Sequence, residues 1–201
     1  MIMTEIEVRA STQNLQAIDD DKKVIEGYAV VFGSESQLLF EDDGTPFVET
    51  ISRNAFENVD MTKVFALYNH DYSKILARSD AGNLELKVDD IGLWFRANLP
   101  DTTLAKDVYE DVRVGNVPAC SFGFTVADDT WGNSNDGILK RTIKKIASLR
   151  EITLTPYPAY ESTTAVATRS YQDLENKSKR EKELAELEKE LMNMKLDSMR
   201  T

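Results

Sequence analysis

A chain of 201 residues can hold one ordinary domain and an appendage, and 41% hydrophobic with 29% charged residues is the balance of a folded domain. A net charge of -11 excludes the clustered cations that bind phosphate backbones or anionic lipid, so neither nucleic acid nor membrane is expected as a partner. The single cysteine, Cys120, excludes an internal disulfide, and the single histidine, His70, excludes a multi-imidazole metal site.

The opening residues MIMTE lack the basic and apolar stretches of a secretory leader, and no run reaches the roughly 20 apolar residues that span a bilayer. Residues 24–32 (VIEGYAVVF) then read as a largely buried strand ending at Gly33. Residues 53–58 suggest a short helix, and 64–69 (VFALYN) a second apolar strand running into His70 and Asp71. Residues 84–88 and 93–99 read as strands joined by a Gly92 hairpin loop. After Pro100, Asp101 is a good N-cap for a helix whose Leu104, Val108 and Val112 share one face until Gly115 stops it. Residues 117–126 form the next strand, 128–137 a polar loop or hairpin tip, 138–146 a returning strand or connector, and 149–154 (LREITL) a last strand before Pro156 and Pro158. Many short strands with few helices predict a closed or nearly closed β-barrel decorated by helices.

Alternation along 117–126 separates two faces. Cys120, Phe122, Phe124 and Val126 make an apolar face, and Ala119, Ser121, Gly123 and Thr125 a small one that leaves room beside Ser121. Most serines so placed are plain strand surface. A hydroxyl becomes a nucleophile only if a base takes its proton, and His70 is the one imidazole available. Cys120 is the rival nucleophile, but the alternation turns it inward, where a thiol acts as a small hydrophobe. Glu151 shares a strand side with Leu149 and Thr153 and has the chemistry to orient an imidazole. Asp71 competes for that role, although its adjacency to His70 makes a facing geometry awkward. There is no GxSxG elbow and no phosphate-binding glycine loop. The residues alone leave a Ser–His hydrolase as one option among several.

Three segments in order, YNHD at 68–71, CSFGF at 120–124 and LREITLTPYPAY at 149–160, together with GYAVVF at 27–32 and ISRNAF at 51–56, resemble the prohead proteases of tailed phages. The resemblance implies an α+β, mainly β fold: an assemblin-like β-barrel surrounded by short helices, akin to herpesvirus capsid proteases. It implies a serine endopeptidase with Ser121 as nucleophile, His70 as base and Glu151 as third member, needing no cofactor or metal. Herpesvirus relatives use a second histidine in that third position, which this chain lacks. The substrates implied are the capsid protein and its scaffold segment, cut inside the immature capsid in the host bacterial cytoplasm, with self-cleavage. An oxyanion site is not identified in the sequence.

Residues 1–165 are thus expected to form the protease domain, and 166–201 a linker and C-terminal amphipathic helix. In that charged tail Leu184, Leu187, Leu191 and Met194 make an apolar seam of about two heptads, short for a coiled coil and suited equally to a solvated helix or to self-association. Two other readings keep the fold and change the function. One is a non-catalytic capsid assembly or scaffolding protein, the other a hydrolase of small esters.

Overall fold

The computed structural model describes residues 6–11, 15–19, 21–41, 43–133 and 138–156. The C-terminal helix expected within 166–201 and part of the 128–137 loop lie outside the described residues.

The described chain is mainly strand: β1 Glu7–Ser11, β2 Gln16–Asp19, β3 Val24–Val31, β4 Leu39–Phe40, β5 Pro46–Ile51, β6 Phe65–Tyr68, β7 Asp71–Arg78, β8 Leu84–Val88 and β9 Gly92–Asn98. One helix, α1 Thr103–Arg113, follows, then β10 Ala119–Asn133 and β11 Leu139–Thr155. The two long strands form an antiparallel hairpin, so residues 128–133 extend the sheet where a polar loop was expected. Trp131 packs against Phe47 and under Arg141, which explains why this Asp- and Asn-rich stretch still extends as strand.

The larger sheet has seven strands, ordered β1-β10-β11-β5-β4, with β6 and β7 branching from β11. Residues 139–143 of β11 pair in parallel with β5, and residues 151–154 pair in parallel with β6. The smaller sheet is the antiparallel set β2-β3-β9-β8. Among the described residues the strands therefore divide between two open sheets, and the expected barrel does not close. The reason is the 17-residue β11, which serves two partners at its two ends and branches the sheet instead of curling it.

Both sheets and α1 contribute to one apolar core. Ile25, Leu93 and Phe95 of the smaller sheet join Phe122, Phe124, Ile143 and Ile152 of the larger one and Val108, Tyr109 and Val112 of α1. The helix N-cap is Thr102, whose hydroxyl accepts from the Ala105 N–H, whereas Asp101 pairs with Lys106. The buried face of α1 is Ala105, Val108, Tyr109 and Val112, so Val108 and Val112 of the expected stripe are buried, Leu104 packs against the core partly exposed, and Tyr109 is the largest fully buried side chain. Residues 53–58 form successive turns, held by Ala55 N–H to Ser52 and Glu57 N–H to Asn54, in place of the short helix.

Candidate active site

His70 stands at the tip of the β6–β7 hairpin. Tyr68 and Asp71 pair directly, which leaves Asn69 and His70 as a two-residue loop. Both have positive φ, 55° and 58°, the backbone that a type I′ turn requires. Asparagine tolerates this region, but for histidine it costs roughly 1–2 kcal/mol, a strain that surrounding structure must hold. The hairpin is pinned to β11 by the Asn69 N–H, which donates to the Leu154 carbonyl at 3.0 Å.

The parallel register of β6 on β11 sets Glu151 beside Phe65 and Leu154 beside Tyr68, bringing the turn over the carboxylate. His70 Nδ1 lies 2.6 Å from Glu151 Oε1. An ionised carboxylate can only accept, so pairing with it favours the imidazole tautomer that has its proton on Nδ1 and its lone pair on Nε2. The Glu151 side chain is 4% exposed, and its second oxygen accepts from the Thr153 hydroxyl at 3.1 Å. Its buried carboxylate is thus satisfied on both oxygens, as burial demands.

Asp71 is turned away from this contact. Its carboxylate accepts from the Ser73 hydroxyl and N–H, which lower its pKa, and lies 3.4 Å from Lys74. The facing geometry that adjacency makes awkward is not adopted.

Ser121 pairs with Thr153 across β10–β11, and Gly123 pairs with Glu151. Directly paired residues share a sheet face, so Ser121, Gly123, Thr153 and Glu151 lie on one side, with Ser121 diagonal to Glu151. The Glu151 side chain lies across Gly123: a Cβ there would come within 2.9 Å of Glu151 Cγ. Ser121 itself is fully buried, and its hydroxyl donates to the Arg9 carbonyl of β1 at 2.8 Å. His70 and Glu151 are in contact, while Ser121 is engaged on the neighbouring strand.

Cys120 is fully buried with Phe122 and Phe124, and burial pushes its thiol from 9.0 up to about 12. The inward orientation inferred from alternation is the one observed. The small face departs from expectation, since Ser121 and Thr125 are buried too. Alternation also misplaced Leu149. The pairing steps from Gly123–Glu151 to Phe124–Leu149, leaving Arg150 as an extra residue in a β-bulge, so Leu149 joins the core with Ile152.

Beside the site, β1 is held by a network of charges. Arg9 Nε donates to Glu49 at 2.8 Å, and Arg141 reaches Glu7 at 2.6 Å, Glu49 at 3.0 Å and Asp129 at 2.7 Å. An open groove of about 780 Å³ borders this network and is lined by Arg9, Phe47, Trp131 and Arg141, with none of His70, Ser121 and Glu151 in its wall.

Residues 5–177 match the family model for the caudovirus prohead serine protease. The chain belongs to that family. It is 30% identical over 159 residues to the prohead protease of Enterobacteria phage HK97, an alignment that covers 78% of this chain and 65% of that protein's length. Among solved structures it is similar to the bacteriophage T4 capsid assembly protease, with a TM-score of 0.48 at 10% identity, over 75% of this chain and 97% of that one.

Sequence reasoning missed the hydroxyl of Thr153, the space over Gly123 and the carbonyl of Arg9. The Glu-x-Thr spacing of 151 and 153 carries the first signal, because period two places both on one face. Tyr72 was missed as well. Partial burial and then the negative charge of Glu151 raise its pKa, and its ring meets Phe65 edge-on.

Proposed function

We propose that this chain is a serine endopeptidase that cuts capsid and scaffold segments, and itself, as a phage prohead matures inside the host cell. Ser121 is the nucleophile, His70 the general base and Glu151 the group that orients it. The observation that carries this reading is the 2.6 Å contact of His70 Nδ1 with the buried Glu151, on the sheet face that holds Ser121. That contact leaves Nε2 as the nitrogen available to accept a proton.

In the reaction the Ser121 hydroxyl leaves the Arg9 carbonyl and donates to Nε2. Its oxygen attacks the scissile carbonyl, and the imidazolium then protonates the departing amine. Water, deprotonated by the same nitrogen, releases the acyl group from Ser121. Residues 1–165 carry this chemistry, and 166–201 serve association.

Incubation of capsid protein bearing its scaffold segment with wild type or Ser121→Ala, read by intact mass, tests the proposal. Wild type should trim the substrate, and Ser121→Ala should lose about 10⁶-fold in turnover. Intact substrate with both proteins would favour the non-catalytic assembly protein, and equal trimming by both would remove Ser121 from the chemistry.

A further inference from the structure

The acid that contacts His70 is itself held by two residues with no part in bond making. Thr153 is fully buried, and its hydroxyl donates to Glu151 Oε2 at 3.1 Å. Gly123 faces the same side chain from the paired strand, where an added Cβ would come within 2.9 Å of Cγ and 3.1 Å of Oε1. A carboxylate that is 4% exposed has little water to help orient it, so its direction depends on these two neighbours.

We propose that Thr153 and Gly123 are positioning residues for Glu151: the Thr153 hydroxyl fixes one carboxylate oxygen, and the missing side chain of Gly123 leaves the channel through which the other reaches His70 Nδ1. The register supports both roles, because Gly123 pairs with Glu151 and Thr153 lies two residues along the same strand face. Thr153 also pairs with Ser121, so it stands between the nucleophile and the acid on that face. Specificity at position 153 is for a hydroxyl and at 123 for the absence of a side chain. Valine at 153 would keep the shape and leave a buried oxygen without its donor.

The inference rests on the proposed role of Glu151, and its test separates the two. Because the chain has one histidine, ¹⁵N spectra of the full-length protein give a single pair of imidazole signals that report the tautomer. Wild type should show the Nδ1–H form. Thr153→Val should shift part of the population to the Nε2–H form and lower kcat about 10- to 100-fold, the rate equivalent of one charge-assisted hydrogen bond, with KM little changed. Thr153→Ser should restore both. Gly123→Ala should lose the Nδ1–H form in the same way.

Wild-type tautomer and turnover in Thr153→Val would overturn the proposal, as would failure of serine to rescue, which would reduce Thr153 to packing. A Glu151→Gln protein with full turnover beside a tautomer shift in Thr153→Val would sink the catalytic role of Glu151 and leave the positioning intact.

Discussion

His70 and Glu151 meet through a two-residue turn and one strand register, whereas Ser121 is engaged by a strand from the far end of the sequence, 112 residues away. The imidazole and its acid are already in contact, on a side chain whose other oxygen is also taken. The Ser121 hydroxyl donates to a backbone carbonyl and is closed to solvent. The difference teaches that the two halves of the site answer to different parts of the fold. The His70–Glu151 half depends on β6, β7 and β11, and the Ser121 half depends also on how β1 lies along β10.

Breaking the first half should act directly on turnover. Glu151→Gln should lower kcat by about 10⁴-fold, since an amide can hold the imidazole in the wrong tautomer. Asp71→Asn should change it little, because that carboxylate is committed to Ser73 and Lys74. Single-turnover cleavage of a peptide by the two variants, with circular dichroism to confirm the fold, makes the comparison. A larger loss in Asp71→Asn would exchange their roles.

Breaking the second half should act first on stability. Arg141 reaches three carboxylates, and the Glu49 side chain among them is only 2% exposed. Partial burial opposes the Arg141 charge, and the hydrogen bonds it donates to Glu7 and Asp129 overcome that, raising its pKa above the ordinary arginine value. Arg141→Met removes a partner from all three acids, leaving Glu7 and Glu49 to Arg9, and should cost about 3 kcal/mol, measured by urea unfolding. Hydrogen exchange should speed at residues 7–11 while the His70 signals stay in place. Loss of the His70–Glu151 contact in that variant would show that the halves are coupled.

The same division marks what could be read without coordinates. Strands at 24–32, 64–69 and 84–99, the helix before Gly115 and the inward thiol followed from period and punctuation, which are local signals. The residues alone offered both Glu151 and Asp71 as partners of His70 and the resemblance favoured Glu151, because the contact joins residues 81 apart through a parallel register that no periodicity encodes. The turn at His70 was invisible for a different reason. Asn-His is not a usual type I′ pair, so the positive φ of His70 is imposed by pairing on both sides and by the hold of Leu154. The barrel was overestimated because counting strands does not reveal that β11 carries two partners in line. The bulge at Arg150 likewise shifts alternation by one, a change that sequence pattern has no means to register.

The smallest effect sharpens the comparison at its finest point, between two neighbouring side chains of β10. Ser121 and Cys120 are both buried, but only the hydroxyl lies on the face of Glu151, while the thiol packs with the core. Cys120→Ala should therefore leave turnover unchanged and cost about 1 kcal/mol from a small cavity. Because burial raises the thiol from 9.0 to about 12, the folded state keeps a proton that the unfolded chain releases first. The stability tied to the protonated thiol is complete below about pH 8.5 and is lost as pH rises toward 12, at about 1.4 kcal/mol per pH unit for one proton. Urea unfolding between pH 8 and 10.5 should show this downward slope in wild type and a shallower one in Cys120→Ala. Equal slopes would mean that the thiol ionises as freely in the folded protein as in the unfolded one. Rapid alkylation of native protein at neutral pH, with loss of turnover, would move the nucleophile from Ser121 to Cys120.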